Sequence, residues 1–378
     1  MSGDGHPKRC LIIANPEDLH TFTIFEAMAQ KGAAPDLWLT PDYPELQSIS
    51  LRIDDKGQAG VRIVGRETEL RGPYDVVWNR RGVFHAPLQD LHAADRAFAR
   101  EEARAHYRAA LELLAQQGLW INPPSAKRLA NMKPLQQQAA MRLGLRTAET
   151  LYSNDPAEIR AFLARAGGSC IYKANTQKGF WIREDGVFET LYTSVIDASQ
   201  LTEDEVLRMT PGIFQPVIPK KHEIRVTVMG DRLFAARLLS QETATGRVDF
   251  RQSYAELKAE REELPEPLAT QLVRLTRELG LVYGAIDLIV TPDDEVVFLE
   301  INESGQFLWI EAYAGVPVLD AFCELLLQGR RDFLWQERDC IRLSDVGAAA
   351  LQRRDLALQG HRPPPQLGVR EAEFTSQE

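Results

Sequence analysis

Gly284-Ala-Ile-Asp-Leu-Ile-Val-Thr-Pro-Asp-Asp-Glu-Val-Val-Phe-Leu-Glu-Ile-Asn-Glu-Ser-Gly-Gln306 is the stretch that decides the fold. Two apolar runs flank a polar Pro-Asp-Asp-Glu turn, a pattern that predicts two antiparallel strands joined as a hairpin. Folding the stretch about that turn places Asp287 opposite Glu300 and Ala285 opposite Asn302. Because side chains alternate along a strand, one face is apolar and the other carries Asp287, Glu300 and Asn302. The predicted apolar face consists of Ile286, Leu288, Val290, Val297, Leu299 and Ile301.

Two carboxylates that face each other across a sheet repel, since directly opposed Cβ atoms lie only about 4.5–5.5 Å apart. Such a pair needs either a shared proton or a cation. The amide oxygen of Asn302 favours the cation, because an all-oxygen set with few protein ligands is typical of Mg²⁺. The alternative is a solvated hairpin with ordinary surface acids, which the wholly apolar opposite face makes less favourable. The hairpin therefore predicts a magnesium site.

Bulk composition describes an ordinary globular protein. The 378 residues are 44% hydrophobic and 26% charged, a length that predicts two or three domains. The net charge of −10 argues against a nucleic-acid binder. No apolar run approaches the ~18 residues of a membrane span, and the polar start is unlike a signal peptide. Four scattered cysteines without C-x-x-C spacing predict a reducing cytoplasm.

The first third of the chain predicts a small α/β domain. A buried-strand run at 9–14 precedes a helix at 21–30, and a later strand, 74–78, ends at Asn79. Arg80 and Arg81 follow that strand directly. Because ligands of open α/β sheets bind at the carboxyl ends of strands, these arginines are candidates to hold an anionic substrate group. The alternative is two solvated loop arginines. A helix at 88–117 is expected to close the domain, and Asn122-Pro-Pro-Ser125 marks its boundary.

Two lysines in the middle of the chain stand in unusual positions. Asn131 is predicted to cap a helix that ends at Gly144, so Lys133 falls in its first turn, where a cation opposes the helix dipole. An anion bound at that N-terminus would explain the lysine, although a surface lysine is the alternative. Lys173 lies within an apolar strand and needs a partner, since burying an unpaired charge is costly. The polar loop after it is a plausible cover over phosphates.

Two further strands follow, and then a polar end. The apolar run 212–218 is expected to leave backbone groups free at an edge, as an adenine pocket requires. In the next strand Glu223, Arg225 and Thr227 alternate with apolar side chains. From about Arg338 onward the chain turns polar, which predicts a largely disordered tail.

The order of these parts resembles the ATP-grasp ligases over about residues 9–330. Within them the chain is similar to the microviridin-type ligases, which make graspetides by crosslinking ribosomal peptides through side-chain esters or amides. The ribosomal-protein glutamate ligases share several of the same elements and are the nearest alternative. The resemblance rests on Val77-Trp-Asn-Arg-Arg81, Ile121-Asn-Pro-Pro-Ser125 with Lys133, Glu223-Ile-Arg-Val-Thr-Val, Ser240-Gln241 before Asp249-Phe-Arg251, and Glu300-Ile-Asn-x-x-Gly-Gln306.

The resemblance implies an ATP-grasp fold of mixed α+β and α/β class. It comprises a Rossmann-like pre-ATP-grasp domain at 1–121, a central α+β subdomain at 122–218, and a C-terminal antiparallel-sheet subdomain with the Mg²⁺ site at 219–337. The remaining segment, 338–378, has no recognisable counterpart and is expected to be a flexible tail. Arg237 departs from the family pattern, which suggests an acidic or neutral residue there. The side chain of Arg237 could lie on either face of its sheet, because a bulge in that hairpin would reverse the face.

The resemblance also implies a role for each motif residue. Lys133 and Lys173 would contact the phosphates of ATP. The backbone of Gln215, Pro216 and Val217 would bind adenine, and Glu223 would bind the ribose. Mg²⁺, as two ions with Glu300 bridging, would bind Asp287, Glu300 and Asn302. Arg225 and Arg251 would be catalytic, facing the transferred phosphoryl group or the substrate carboxylate, and the weaker substrate candidates are Arg80, Arg81 and Asp249.

The implied activity is ATP-dependent macrocyclisation of a precursor peptide through an acyl phosphate. Alternatives are a ligase that adds free amino acids to a protein or small molecule, and a catalytically silent peptide-binding scaffold. The expected partner is a precursor peptide with a leader segment, with the loop 241–247 as a candidate contact. We expect neither a nucleic-acid nor a membrane partner, and a homodimer stays open.

Overall fold

The structure is a computed structural model that describes residues 8–66, 68–175, 180–182, 188–190, 193–242 and 257–361. Its strands are β1 (Cys10–Ala14), β2 (Asp36–Leu39), β3 (Ser48–Ile53), β4 (Ala59–Val64), β5 (Glu69–Arg71), β6 (Val76–Asn79), β7 (Leu119–Ile121), β8 (Arg146–Thr147), β9 (Leu151–Ser153), β10 (Ser169–Lys173), β11 (Phe180–Ile182), β12 (Phe188–Thr190), β13 (Ser194–Asp197), β14 (Gly212–Gln215), β15 (His222–Met229), β16 (Arg232–Leu238), β17 (Ala259–Glu262), β18 (Tyr283–Val290) and β19 (Val296–Asn302). Its helices are α1 (Leu19–Gln30), α2 (Arg96–Leu114), α3 (Pro124–Ala130), α4 (Lys133–Arg142), α5 (Pro156–Arg165), α6 (Asp204–Met209), α7 (Glu266–Glu278), α8 (Leu308–Ala314), α9 (Val318–Gln328) and α10 (Leu343–Gly360).

The N-terminal part is a four-stranded parallel sheet in the order β2-β1-β6-β7. A three-stranded antiparallel sheet, β3-β4-β5, packs with α2 and with one face of the parallel sheet around a common core. This confirms the predicted α/β class, with Arg80 and Arg81 directly after β6. Helix α2 begins at Arg96 rather than at the predicted residue 88, and Leu88 instead has a left-handed backbone (φ 51°).

A six-stranded sheet in the order β17-β16-β15-β18-β19-β8 carries the stretch that decides the fold. Its strands are antiparallel except for the pair of β19 and β8. The predicted pairings are confirmed, since Asp287 lies opposite Glu300 and Ala285 opposite Asn302. Helices α4 and α7 cover the apolar face of this sheet.

A β-bulge changes the predicted face of the second hairpin strand. The register steps from the Asp287–Glu300 pair to a pair of Leu288 with Phe298, so Leu299 is the extra residue. Phe298 therefore joins Ile286, Leu288 and Ile301 in the core. The predictions that Val297 and Leu299 share that face were wrong, because an inserted residue reverses the alternation.

The central part is an antiparallel sheet in the order β13-β10-β14-β9. Helix α5 packs on it, and Asp155 caps that helix by accepting the N–H groups of Ala157 and Glu158. The predicted cap of α4 was wrong. The Asn131 side chain donates to Glu303 at 2.9 Å, and Met132 occupies the cap position of α4 without a side-chain bond.

Residues 124–147 pack with the six-stranded sheet. Helices α3 and α4 bury Ala126, Ala130, Ala139 and Ala140 in the same core as β15 and β18, and β8 extends β19. Lys133 therefore lies in the same structural unit as β19. The predicted division at 122 and 218 stays a prediction, although residues 124–147 pack with the sheet that follows 218 rather than with the central sheet.

Residues 343–360 form helix α10 and so differ from the expected flexible tail, whereas 362–378 lie outside the described residues. Helix α10 packs along α1, with Val346 and Ala350 buried in the core they share. Its N-terminus is fixed by Glu311, whose carboxylate accepts the N–H of Leu343 at 3.0 Å. The prediction of a flexible segment from polar composition was wrong for these residues. Small apolar residues spaced four positions apart are sufficient to bury one face of a helix.

None of the helices among the described residues is long and apolar enough to cross a membrane.

Candidate active site

The face of the six-stranded sheet opposite α4 and α7 gathers the predicted polar side chains. Antiparallel pairing places Arg225 of β15 opposite Asp287 of β18, and Asp287 opposite Glu300 of β19. Glu223 lies two residues before Arg225 and therefore on the same face. The alternation that predicted this face holds along β15, where Ile224, Val226 and Val228 enter the core instead.

The three predicted metal-binding residues lie together. The Nδ2 atom of Asn302 is 3.1 Å from Oε1 of Glu300 and 3.4 Å from Oδ2 of Asp287. The amide thus sits between the two carboxylates. A half-turn of that amide would present its oxygen in place of the nitrogen, which completes an all-oxygen set.

Two cations balance the two carboxylates. Nη1 of Arg225 donates to Oδ1 of Asp287 at 2.7 Å, and its Nη2 donates to the backbone oxygen of Gln306 at 2.9 Å. Lys133 at the start of α4 pairs with Glu300. The Arg225 side chain is only 7% exposed and Lys133 18%, so both pairs are shielded from solvent. The structure thus brings Arg225 and Lys133 to the candidate metal site.

Glu223 has a partner that the sequence reasoning missed. Lys220 pairs with Glu223, and both side chains are 9% exposed. The only sequence signal is their spacing of three residues, which outside a helix does not predict contact. Lys220 is therefore a further cation beside the predicted ribose-binding carboxylate.

The predicted adenine and phosphate residues of the central sheet lie on neighbouring strands. Lys173 ends β10, opposite Ile213 of β14. Gln215 ends β14 and donates from its side chain to the hydroxyl of Thr150 at 2.9 Å. Pro216 and Val217 follow outside any strand, with Val217 exposed. Their predicted contacts with the nucleotide stay predictions.

Tyr152 of β9 is a second residue that the sequence reasoning missed. Its hydroxyl donates to Oε1 of Gln137 at 3.2 Å, one turn along α4 from Lys133. Burial, together with the negative charge of Glu300, raises the pKa of Tyr152 to about 12. The phenol is therefore a neutral hydrogen-bond donor near the candidate metal site, in a place that only the tertiary fold reveals.

Arg80 lies buried beneath the chain that follows β19. Its Nε is 3.2 Å from Asp18, and its Nη1 donates to the backbone oxygens of Ser304 and Gly305. Arg81 is 35% exposed and lies 3.7 Å from Asp18. Arg80 thus joins the N-terminal part to the loop after Asn302, while its predicted substrate contact and that of Arg81 stay predictions.

The remaining predicted residues fall into two groups, those outside the described residues and Arg237. Asp249 and Arg251 lie outside the described residues, as does most of the loop 241–247. Arg237 lies opposite Ile224 in an uninterrupted register, so it faces away from Arg225. There it forms a bidentate pair with Glu262 at 2.7 and 3.1 Å. An arginine at position 237, where the family pattern suggests an acidic or neutral residue, therefore does not alter the candidate site.

The donor set fits Mg²⁺. The candidate site consists of two carboxylates and one amide, which lie within hydrogen-bond distance of each other. Within the described ranges no group of three His, Cys, Asp or Glu side chains could hold a metal. Oxygen ligands without nitrogen or sulfur suit a hard cation, and few protein ligands leave room for phosphate oxygens. Asp287, Glu300 and Asn302 are the residues that would hold the ion.

No protein-family model matches the chain, and a search of curated proteins finds no match. Solved structures do match it. A RiPP-associated ATP-grasp ligase of Chryseobacterium gregarium, solved with ADP and a leader and core peptide, is 26% identical with a TM-score of 0.77, covering 87% of this chain and 100% of its own. A macrocyclase of Microcystis aeruginosa MRC, bound with its precursor peptide, is 28% identical with a TM-score of 0.73, covering 85% and 99%. A second macrocyclase of that organism is 27% identical with a TM-score of 0.69, covering 85% and 100%.

The matches run over almost the full length of these solved chains, so the likeness extends well beyond one common motif. The strand order of the sheets, the facing Asp287 and Glu300, and these likenesses together show the fold of an ATP-grasp ligase, similar to ligases solved with ribosomal precursor peptides.

Proposed function

We propose that the protein uses ATP and Mg²⁺ to form side-chain ester or amide crosslinks within a ribosomally made precursor peptide. The observation that carries the proposal is the shared face of β15, β18 and β19, where Arg225, Asp287, Glu300 and Asn302 lie together. The similar ligases and macrocyclases were solved with ADP or with precursor peptides, which supports the same nucleotide and substrate class.

The geometry supports carboxylate activation. A substrate carboxylate attacks the γ-phosphorus of ATP, the bond to the β-γ bridging oxygen breaks, and ADP leaves, so an acyl phosphate forms. Bound Mg²⁺ would neutralise charge on the phosphates. Arg225, fixed by Asp287 and the Gln306 carbonyl, is oriented to stabilise negative charge on the transferring group.

The second step joins two side chains of the peptide. A hydroxyl of Thr or Ser, or the amine of Lys, attacks the acyl carbon and phosphate leaves. The balance is one ATP converted to ADP and phosphate, and one water lost from the peptide, for each ring. No protein nucleophile is required, and the groups at the described site are hydrogen-bond donors, carboxylates and cations.

The decisive experiment is mass spectrometry of a precursor peptide encoded beside the gene, incubated with the protein, ATP, Mg²⁺ and a mixture of free amino acids. We expect a product lighter by one water for each crosslink, with ADP and phosphate released only when peptide is present. An unshifted peptide mass would contradict the proposal, and a mass gain of one amino acid would instead indicate the free-amino-acid ligase.

A pair of matched variants tests the site. Glu300→Gln removes one predicted metal-binding carboxylate, and we expect product formation to fall at least 100-fold. Glu263→Gln makes the same change on an exposed acid beyond β17, and the yield should equal that of the wild type.

The proposal also covers the cellular compartment of the protein and its partners. The net charge of −10 and the scattered cysteines support a cytoplasmic protein whose partner is a peptide rather than a nucleic acid or a membrane. A homodimer stays a prediction, which size-exclusion chromatography with light scattering would test.

A further inference from the structure

Two buried amide side chains hold the backbone on either side of Asn302. Gln136 of α4 accepts the N–H of Ile301 at 3.0 Å and donates to the carbonyl oxygen of Ile301 at 2.9 Å. It also donates to the carbonyl oxygen of Ala130, and it is only 3% exposed. The side-chain amide thus makes the two hydrogen bonds that a neighbouring strand would make.

Asn122 does the same on the other side. It is 1% exposed, and its Nδ2 donates to the carbonyl oxygens of Glu303 and Tyr283, each at 2.8 Å. Its Oδ1 accepts the N–H groups of Val282 and Tyr283 at 2.7 and 3.0 Å. Asn122 therefore ties the residue after Asn302 to the start of β18, within the Asn-Pro-Pro segment that marks the domain boundary.

The position of these amides follows from where the sheet ends. Strand β8 pairs with β19 only at Val297 and Phe298, before the bulge. Beyond that point Ile301 needs another partner on this edge, since a buried backbone N–H or C=O without one is costly. Gln136 supplies it at the single residue that separates Glu300 from Asn302.

We propose that Gln136 and Asn122 are positioning residues that aim Glu300 and Asn302 at the metal. The inference rests on the proposed function of the same site. Fixing the peptide units of Ile301 and Glu303 leaves the intervening Asn302, and Glu300 before it, a single direction in which to project. Supporting side chains of this kind typically change metal affinity 10- to 100-fold when they are lost.

The test measures Mn²⁺ affinity in the presence of ADP, by electron paramagnetic resonance of free Mn²⁺, for the full chain and its variants. Gln136→Met keeps the length of the side chain and removes both hydrogen bonds to Ile301. We expect its Mn²⁺ dissociation constant to rise roughly 10-fold or more. Asn122→Asp, which keeps the acceptor and loses the donor toward Glu303, should shift it in the same direction.

A second readout needs no metal. Deuterium exchange at the Ile301 amide should accelerate in Gln136→Met and remain slow in Gln136→Glu, which retains an acceptor for that N–H. The matched control is Gln271→Met, because the Gln271 side chain also donates to a backbone oxygen, that of Leu143 at 2.9 Å, at the far end of α4. It should leave both the Mn²⁺ affinity and the Ile301 exchange unchanged.

The possible results distinguish a failure of this inference from a failure of the proposed function. An unchanged Mn²⁺ affinity in Gln136→Met, with normal binding by the wild type, overturns this inference alone. An affinity loss of the same size in Gln271→Met also overturns it, since general loosening of α4 would then explain the effect. A wild-type protein that binds no Mn²⁺ overturns both this inference and the proposed function.

Discussion

Gly305, three residues after β19, lies against β18 and the side chain of Arg225. A Cβ atom at this position would be 2.6 Å from the Cβ of Ala285 and 2.9 Å from Nη2 of Arg225. The first of these atoms belongs to a strand and cannot move freely. The close passage explains, in physical terms, why glycine follows the Glu-x-Asn element here.

Gly305→Ala should therefore displace the guanidinium of Arg225 and lower activity. Overpacking of this kind costs about 1–3 kcal/mol, so we expect an unfolding free energy lower by that amount and product formation reduced about 10-fold or more. Urea unfolding and peptide mass spectrometry measure the two effects. Gly347→Ala in α10 is the control, because a Cβ there meets nothing within 4 Å and alanine favours a helix.

His20 makes stability depend on pH. Burial, reinforced by the charge of Arg80, lowers the pKa of His20 well below the ordinary histidine value of about 6.5, although Asp18 opposes the shift. The neutral ring accepts the N–H groups of Phe307 and Leu308 at 3.2 and 3.3 Å. In the folded protein His20 therefore stays unprotonated at a pH where an unfolded histidine takes up a proton.

The sign of the effect follows from proton uptake. Below about pH 6.5 the unfolded state binds more protons than the folded state, so the unfolding free energy falls as the pH falls, by up to ~1.4 kcal/mol per pH unit. We expect this decline to be shallower in His20→Asn than in the wild type between pH 6.5 and 5. Urea unfolding across that range measures it, and parallel declines in both proteins would refute the assignment.

Among the elements, the C-terminal helix α10 is the one that polar composition concealed. It is fixed at its start by Glu311 and along its length by Val346, Ala350 and the pairing of Arg353 with Glu26. Burial raises the pKa of Glu311, and the N–H groups that it accepts oppose that rise. Helix α10 is thus part of the folded core rather than an appendage.

Val346→Ala should lower the unfolding free energy by about 1–3 kcal/mol, because two buried methyl groups are lost next to α1. Leu356→Ala, on the exposed side of the same helix, should change it by no more than about 0.5 kcal/mol. Denaturant midpoints distinguish the two. Equal effects would mean that α10 does not pack on α1 in solution.

Local pattern predicted the elements that are organised by near neighbours in sequence. Alternation and a polar turn were sufficient for the facing of Asp287 and Glu300. They did not reveal the bulge at Leu299, since Val297 and Phe298 are both apolar and either can face the core. The partners of Asn302's neighbours, Gln136 and Asn122, are more than 150 positions away in sequence, and no local pattern contains that information.

At the scale of the whole molecule, ligand binding should add stability. Anything that binds only the folded state raises the unfolding free energy, by about 2.7 kcal/mol at a concentration 100 times its dissociation constant. We expect ADP with Mg²⁺ to raise the melting temperature more than ADP with EDTA. In Glu300→Gln the two conditions should give the same melting temperature, whereas a persisting difference would place the metal elsewhere.

The two predicted phosphate-binding lysines belong to different units of the fold. Lys133 starts α4 and shares a core with the six-stranded sheet, whereas Lys173 ends β10 in the central sheet. Only two short connections, 148–150 and 216–221, carry the backbone from one unit to the other. A triphosphate that contacts both lysines would therefore bridge the two units, and transfer of its γ-phosphoryl group to a carboxylate would leave ADP as a shorter bridge between them.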